Sequence, residues 1–315
     1  MITVNQLSDG LHLIGQFLVK DVTKGMTAKG LGYLSLILGD ATGEVDAKVW
    51  SYTDADLDVY VKGNIVQVEA DAILYRDKIQ LKIYSAEKIS REDIDFTRFI
   101  ASAPRPQKEM EEELSRFLSS IRDEEIKAIV SALIERHKDA YFVWPAAVRV
   151  HHNYVSGLLY HSLHLAELAE GACKIYPSLN RDILIGACLI HDLGKTIELS
   201  GPIATEYTFQ GRLLGHISIL QAEVREEAKK LGYEGSEKAV LLEHMVLSHH
   251  GKPEFGSAVM PLTREAVALN MIDDFDAKMA CLDNAFQGVN PGEWSPKIFA
   301  MDDRYFYLPT DAKKE

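Results

Sequence analysis

The chain has 315 residues, which at roughly 100–200 residues per domain corresponds to about two domains. Hydrophobic residues make up 47% and charged residues 26%, which excludes a disordered or fibrous polypeptide. The formal charge of −13 repels nucleic acid at long range, so any nucleic-acid partner has to be captured by a local feature. The longest apolar run, Ile183–Ile190, is far short of the ~20 residues a bilayer span needs. The opening stretch MITVNQLSDG lacks the basic and apolar regions of a signal peptide, and no membrane partner is expected. Cys173, Cys188 and Cys281 lie far apart, which excludes a disulfide framework and thiolate zinc sites. They fit a reducing cytoplasm, each packed as a small apolar residue.

In chain order, residues 11–89 show period-two alternation broken by turn signals. Strands are expected at His12–Val19, Tyr33–Leu38, Glu44–Trp50, Asn64–Ala70 and Lys78–Tyr84, with a turn of helix near Asp54–Val61. Five short strands with almost no helix predict a small antiparallel barrel of the OB type over residues 1–95. From Asp93 the period becomes helical. Helices are expected at Thr97–Ile100, Glu109–Ile121, Glu124–His137, Ser156–Tyr176, Arg181–His191, Leu214–Leu231, Ser236–Ser248 and Arg264–Phe286. The Pro-containing connector Ala101–Gln107 follows the boundary, and residues 96–315 read as an all-helical domain. The fold class is thus multidomain β + α.

All but one of the eleven histidines fall between His137 and His250. The most informative string is Leu189-Ile-His191-Asp192-Leu-Gly194-Lys195-Thr196, which places an imidazole and a carboxylate side by side at the end of an apolar helix. Together they can bind one metal, and the second carboxylate oxygen can reach another. A His-Asp pair alone is equally explained as a capped helix end. Here His161 sits on an upstream helix, His216 opens another, His249-His250 ends a third, and Asp273 lies on a fourth. Helices presenting His and Asp to one interior point are a standard way to build a two-metal site. Nitrogen and oxygen ligands without sulfur favour Mn, Fe, Co or Mg over structural zinc.

The ordered set His161 … His191-Asp192 … His216 … His249-His250 … Asp273 resembles the HD-domain phosphohydrolase superfamily over residues 140–290. The stretch Tyr33-Leu-Ser-Leu-Ile-Leu-Gly-Asp-Ala-Thr-Gly-Glu-Val-Asp-Ala-Lys-Val-Trp50 resembles an OB nucleic-acid-binding module. A barrel of that kind followed by an HD domain is similar to the YhaM-type bacterial 3′–5′ exoribonucleases. Further agreeing strings are Trp144-Pro-Ala-Ala147, His152, Glu198-Leu-Ser-Gly201 and Ser248-His-His-Gly-Lys252. The resemblance implies a metal-dependent exonuclease acting on single-stranded RNA, with DNA as a further substrate. It implies two divalent ions, one held by His161, His191, Asp192 and Asp273 and one by His216, His249 and His250, with Asp192 bridging. Asp276 is assigned to a cap or to support of a ligand. Such ions lower the pKa of a shared water and neutralise a phosphate. Lys195 is then expected to touch the phosphate in catalysis, Arg212 and Lys252 to hold neighbouring phosphates, and His152 to line the site.

Bland readings stand beside these. His164 reads as core or as support for a ligand, His137 and His244 as partly buried or surface histidines, and Lys195 alone as a helix-end lysine bonding carbonyls. In the barrel, Phe17, Tyr33, Trp50, Tyr52 and Tyr75 are candidate stacking surfaces for bases, although aromatics in strands are more often core. Residues 1–95 carry ten basic against fifteen acidic side chains, which argues against a charge-driven duplex binder. Two other functions stay open: a phosphohydrolase of small nucleotides whose barrel serves oligomer contacts, and a nucleic-acid-binding protein with an inactive HD domain. A homo-oligomer is a further expectation.

Overall fold

Five strands and one turn of helix make up the first of two units, Met1–Ser102. The strands are β1 (His12–Met26), β2 (Gly32–Asp40), β3 (Gly43–Trp50), β4 (Ile65–Tyr75) and β5 (Lys78–Lys88), and α1 (Asp54–Val59) connects β3 to β4. The computed structural model describes residues 2–27, 29–90, 95–100, 102–146, 154–203 and 205–311. The strands close in the order β1-β2-β3-β5-β4, with β3 and β5 parallel and every other pair antiparallel. This is the OB-type barrel expected from the alternation.

Inward parity explains the closure. Leu13, Phe17 and Val19 of β1 meet Leu34, Leu36 and Leu38 of β2, Val45, Ala47 and Val49 of β3, Val68, Ala70 and Ala72 of β4, and Leu81 and Ile83 of β5. A register shift between Val19 and Asp21 lets one fifteen-residue strand pair first with β4 and then with β2. Phe17 is fully buried, which corrects its listing among base-stacking candidates: it shares the parity of Leu13 and Val19. The expected helix at Thr97–Ile100 is a 3-10 turn, Phe96–Arg98, that folds with the barrel. Ala41 donates its N–H to the Arg98 carbonyl, and the Arg98 guanidinium donates to Gln16.

The second unit, Ala103–Glu315, is helical. Its helices are α2 (Gln107–Ser120), α3 (Glu124–Tyr141), α4 (Gly157–Ile175), α5 (Arg181–Ile190), α6 (Lys195–Glu198), α7 (Phe209–Lys230), α8 (Glu237–Ser248) and α9 (Arg264–Phe286). Helix α5 is buried at every position from Ile183 to Ile190, as a helix apolar all round must be, and it forms the axis of the core. Around it pack Ile126, Val130 and Leu133 of α3, Leu158 and Leu165 of α4, and Leu242 and Met245 of α8. Two features depart from the expected pattern. Helix α7 begins at Phe209 and is broken at Gly215 (φ 70°, ψ 151°), so the expected start at Leu214 marks the break. Helix α6 is a single turn, too short to leave a periodic signal. None of the described helices is long and apolar enough to cross a membrane.

Candidate metal centre

Helix ends deliver the cluster. His191 caps the C-terminus of α5 and folds its Nδ1 back 3.0 Å from the Cys188 carbonyl. His249 does the same at the end of α8, with Nδ1 2.8 Å from the Val246 carbonyl. A carbonyl can only accept, so both rings carry their proton on Nδ1 and expose the Nε2 lone pair. His250 donates from Nδ1 to the Phe255 carbonyl at 2.8 Å. His161, on the second turn of α4, has Nδ1 2.7 Å from Asp276 Oδ2. His216 follows the Gly215 break and has Nδ1 3.1 Å from Glu198 Oε1, the same oxygen that accepts its backbone N–H. Every one of the five rings is thus oriented through Nδ1, as metal-ligating histidines usually are.

The carboxylate of Asp192 lies between two groups. Its Oδ2 is 3.3 Å from His191 Nε2 and 3.8 Å from His161 Nε2, while its Oδ1 is 3.4 Å from His216 Nε2 and 3.6 Å from His249 Nε2. Ligand atoms of His161, His191 and Asp192 lie within 4.8 Å of one another, as do those of Asp192, His216, His249 and His250. Asp273 Oδ1 sits 3.1 Å from His161 Nε2 and 4.0 Å from His191 Nε2. The donor set fits metal ions on its own terms. Nε2 of His191, His216 and His249 and Oδ1 of Asp192 are buried without a hydrogen-bond partner. Leaving such atoms unmade costs about 1–3 kcal/mol each, which a cation accepting several lone pairs would offset.

The electrostatics agree. Burial would raise the Asp192 carboxyl, but Lys195 and His191 hold it well below the usual carboxylate range. Asp273 is likewise lowered against its burial by His161 and His191. Burial pushes His249 down, and burial with the neighbouring His249 brings His250 to about 4, so both rings are neutral at pH 7. His161 is the exception: burial opposes its charge, yet Asp273 and Asp276 raise it to about 9.

The remaining predicted residues are distributed as follows. Lys195 starts α6 and donates from Nζ to Asp192 Oδ2 at 2.7 Å. Arg212 is exposed, just before the Gly215 break, and Lys252 is exposed at the start of the Pro253–Phe255 turn. His152 lies outside the described residues. His164 shares Asp276 with His161, at 3.0 Å from Oδ1. Glu198 had not been singled out as a functional residue. Its sequence signals are the string Glu198-Leu-Ser-Gly201, to which no role was attached, and its place seven residues after His191.

On the barrel, Trp50 and Tyr33 are paired across β2 and β3 with ring centroids 5.2 Å apart, and Trp50 is 48% exposed. Lys48 Nζ stands 4.9 Å over the Tyr33 ring. Tyr33 lies across Gly25 so closely that a Cβ there would come within 2.4 Å of the ring. Tyr52 covers Gly32 in the same manner, 3.0 Å from where a Cβ would stand. Tyr75 is exposed with Arg76 over its face.

A five-stranded barrel joined to a helical unit with a shared His-Asp cluster defines the class as an HD-domain protein with an OB-type module, and the HD domain model matches residues 158–278. The chain is 43% identical over 293 residues to the 3′-5′ exoribonuclease YhaM of Geobacillus sp. (strain WCH70), covering 93% of this chain and 90% of that protein. It is 39% identical over 306 residues to the protein of the same name from Bacillus subtilis (strain 168), covering 95% and 97%. The chain belongs to the YhaM family. Among solved structures, the second OB-fold domain of replication protein A from Methanococcus maripaludis matches at 20% identity and a TM-score of 0.25, covering 29% of this chain and 95% of that one.

Proposed function

We propose that the chain is a metal-dependent 3′–5′ exoribonuclease that hydrolyses single-stranded RNA one nucleotide at a time, with single-stranded DNA as a further substrate. The observation that carries this is Asp192, whose two carboxylate oxygens face two separate groups of inward-turned imidazoles. On this reading His161, His191, Asp273 and Asp192 hold one divalent ion, and His216, His249, His250 and Asp192 hold another, with Mn, Co, Fe or Mg matching the donor set. When bound, the ions supply an activated water and neutralise phosphate charge.

The protein's own groups do the rest. Asp276 and Glu198 fix the rings of His161 and His216. The Lys195 ammonium is kept charged by Asp192 against its burial and would meet the charge that builds on a phosphate oxygen during attack. Arg212, Lys252 and His152 receive the neighbouring phosphates and nucleotide. The oxygen of a water bonds to phosphorus in line as the bond from phosphorus to the 3′-oxygen of the adjoining nucleotide breaks, the water's proton ends on that 3′-oxygen, and a nucleoside 5′-monophosphate departs. Trp50, Tyr33 and Tyr52 with Lys48 supply a stacking surface that needs no net positive charge, answering the −13 of the whole chain. The free thiols of Cys173, Cys188 and Cys281 suit work in the cytoplasm.

The test is a time course with purified protein, Mn²⁺ and a 5′-labelled RNA bearing a single-stranded 3′ end, beside a panel of mononucleotides. Stepwise shortening from the 3′ end is expected. Preference for mononucleotides would favour a small-nucleotide phosphohydrolase, and binding without cleavage would leave only a nucleic-acid-binding protein.

A further inference from the structure

Helix α6 is four residues long, yet both its ends carry side chains of the metal centre: Lys195 bonds Asp192, and Glu198 bonds His216. A single helical turn has no stability of its own, so its placement must come from outside. Between those ends, Thr196 reaches a polar pair on other helices. Its Oγ1 lies 2.7 Å from Nδ1 of His137 on α3 and 2.7 Å from the Leu193 carbonyl one turn back, and His137 Nε2 lies 2.7 Å from Oε2 of Glu223 on α7. Glu223 can only accept, so Nε2 carries the ring proton. The other Glu223 oxygen takes the Arg136 guanidinium at 3.2 Å. Both His137 and Glu223 are buried, and neither belongs to the two ligand groups.

A buried polar pair contributes little net stability compared with apolar residues of the same volume, and its best-attested use is to select one arrangement. We infer that His137 and Glu223 form a positioning pair for the hydrolytic reaction. Through Thr196 they set the position of α6, and α6 in turn sets the Lys195 ammonium against Asp192 and the Glu198 carboxylate against His216. The inference takes the identity of the reaction from the exoribonuclease reading. The positioning role concerns His216 and Lys195 whatever the substrate.

Thr196→Val removes the hydroxyl with little change of shape, and Thr196→Ser keeps it. Each variant of the full chain would be compared with the wild type for Mn²⁺ binding by titration calorimetry, for kcat and KM on RNA, and for melting temperature. Thr196→Val is expected to lower kcat roughly tenfold with KM nearly unchanged, and to weaken one Mn²⁺ step by about the same factor. The other step should stay put, the melting temperature should fall by no more than a few degrees as His137 Nδ1 loses a partner, and Thr196→Ser should restore kcat, the Mn²⁺ step and the melting temperature. His137→Gln should resemble Thr196→Val. The inference is overturned if Thr196→Val titrates and turns over like the wild type. It is equally overturned if all Mn²⁺ binding and the melting temperature fall together without rescue by serine, since that describes a merely structural contact. A wild type that binds Mn²⁺ but leaves RNA intact would sink the exoribonuclease reading instead, while the Mn²⁺ titration and the serine rescue would still decide the positioning role.

Discussion

Asp192 is where one substitution should cost the most, because each of its oxygens serves a different group of rings. Asp192→Ala is expected to abolish Mn²⁺-dependent hydrolysis with circular dichroism unchanged, and retention of most activity would refute the shared-carboxylate arrangement. Lys195→Ala should behave differently. Its ammonium bonds a carboxylate and is not a ligand atom, so kcat should fall while metal content, read by elemental analysis, stays closer to wild type than in His191→Ala. That these rings would gather was legible because His191 and His249 each close an apolar helix and His216 follows the Gly215 break. Glu198 was not legible. A glutamate on a one-turn helix has no periodicity to betray it, and its link to His216 exists only where Gly215 breaks α7 and Gly194 lets the His216 backbone come close. The pairing of His137 with Glu223 was likewise hidden, since 86 residues separate them.

At the scale of elements, two glycines let α6 and α7 meet. A Cβ at Gly194 would stand 2.2 Å from the His216 carbonyl oxygen, and one at Gly211 would stand 2.3 Å from that of Glu198. Gly211→Ala should therefore push α7 off α6, costing about 1–3 kcal/mol of stability in urea unfolding and a larger share of kcat than of KM. Helix α3 begins at Asp123, whose carboxylate accepts from the N–H groups of Glu125 and Ile126 and pairs with Lys238. Burial opposes its ionisation, but Lys238 and those N–H groups hold it below the ordinary value. An unfolded aspartate titrates near about 3.9, so the stabilisation is complete above that pH and is lost as pH falls through the lower folded value. Asp123→Ala should cost ~1 kcal/mol at pH 7 and progressively less below about pH 4, as measured by chemical denaturation at several pH values. Strand parity shows what the sequence already held. Phe17 is in phase with Leu13 and Val19 and lies inside; Trp50 is out of phase with Val45, Ala47 and Val49 and lies outside. The whole of α6 and the true start of α7 were hidden, because the Gly215 break interrupts the phase on which a helical reading depends.

For the molecule as a whole, an acidic chain that works on a polyanion must obtain affinity from contacts other than net charge. Base stacking on an aromatic side chain contributes about 1–3 kcal/mol per base, so on the proposed reading Trp50→Ala should raise KM for long RNA several-fold or more. It should leave a dinucleotide almost unaffected, and equal losses on both substrates would remove the barrel from substrate capture.

The rings tied through Nδ1 have a thermodynamic consequence. Those Nδ1 bonds restrict how far each ring can turn, so removing bound ions would leave buried lone pairs unmet, at a cost to the native state. Ions that bind only the folded chain remove that penalty by mass action, adding about 2.7 kcal/mol at a free concentration a hundred times Kd. The protein should therefore melt several degrees lower after exhaustive chelation, with its helical signal intact before the transition. The difference should grow with the logarithm of added Mn²⁺. Scanning calorimetry across a Mn²⁺ series would show it, and a melting temperature indifferent to the ion would mean that the folded chain does not bind Mn²⁺ in preference to the unfolded one.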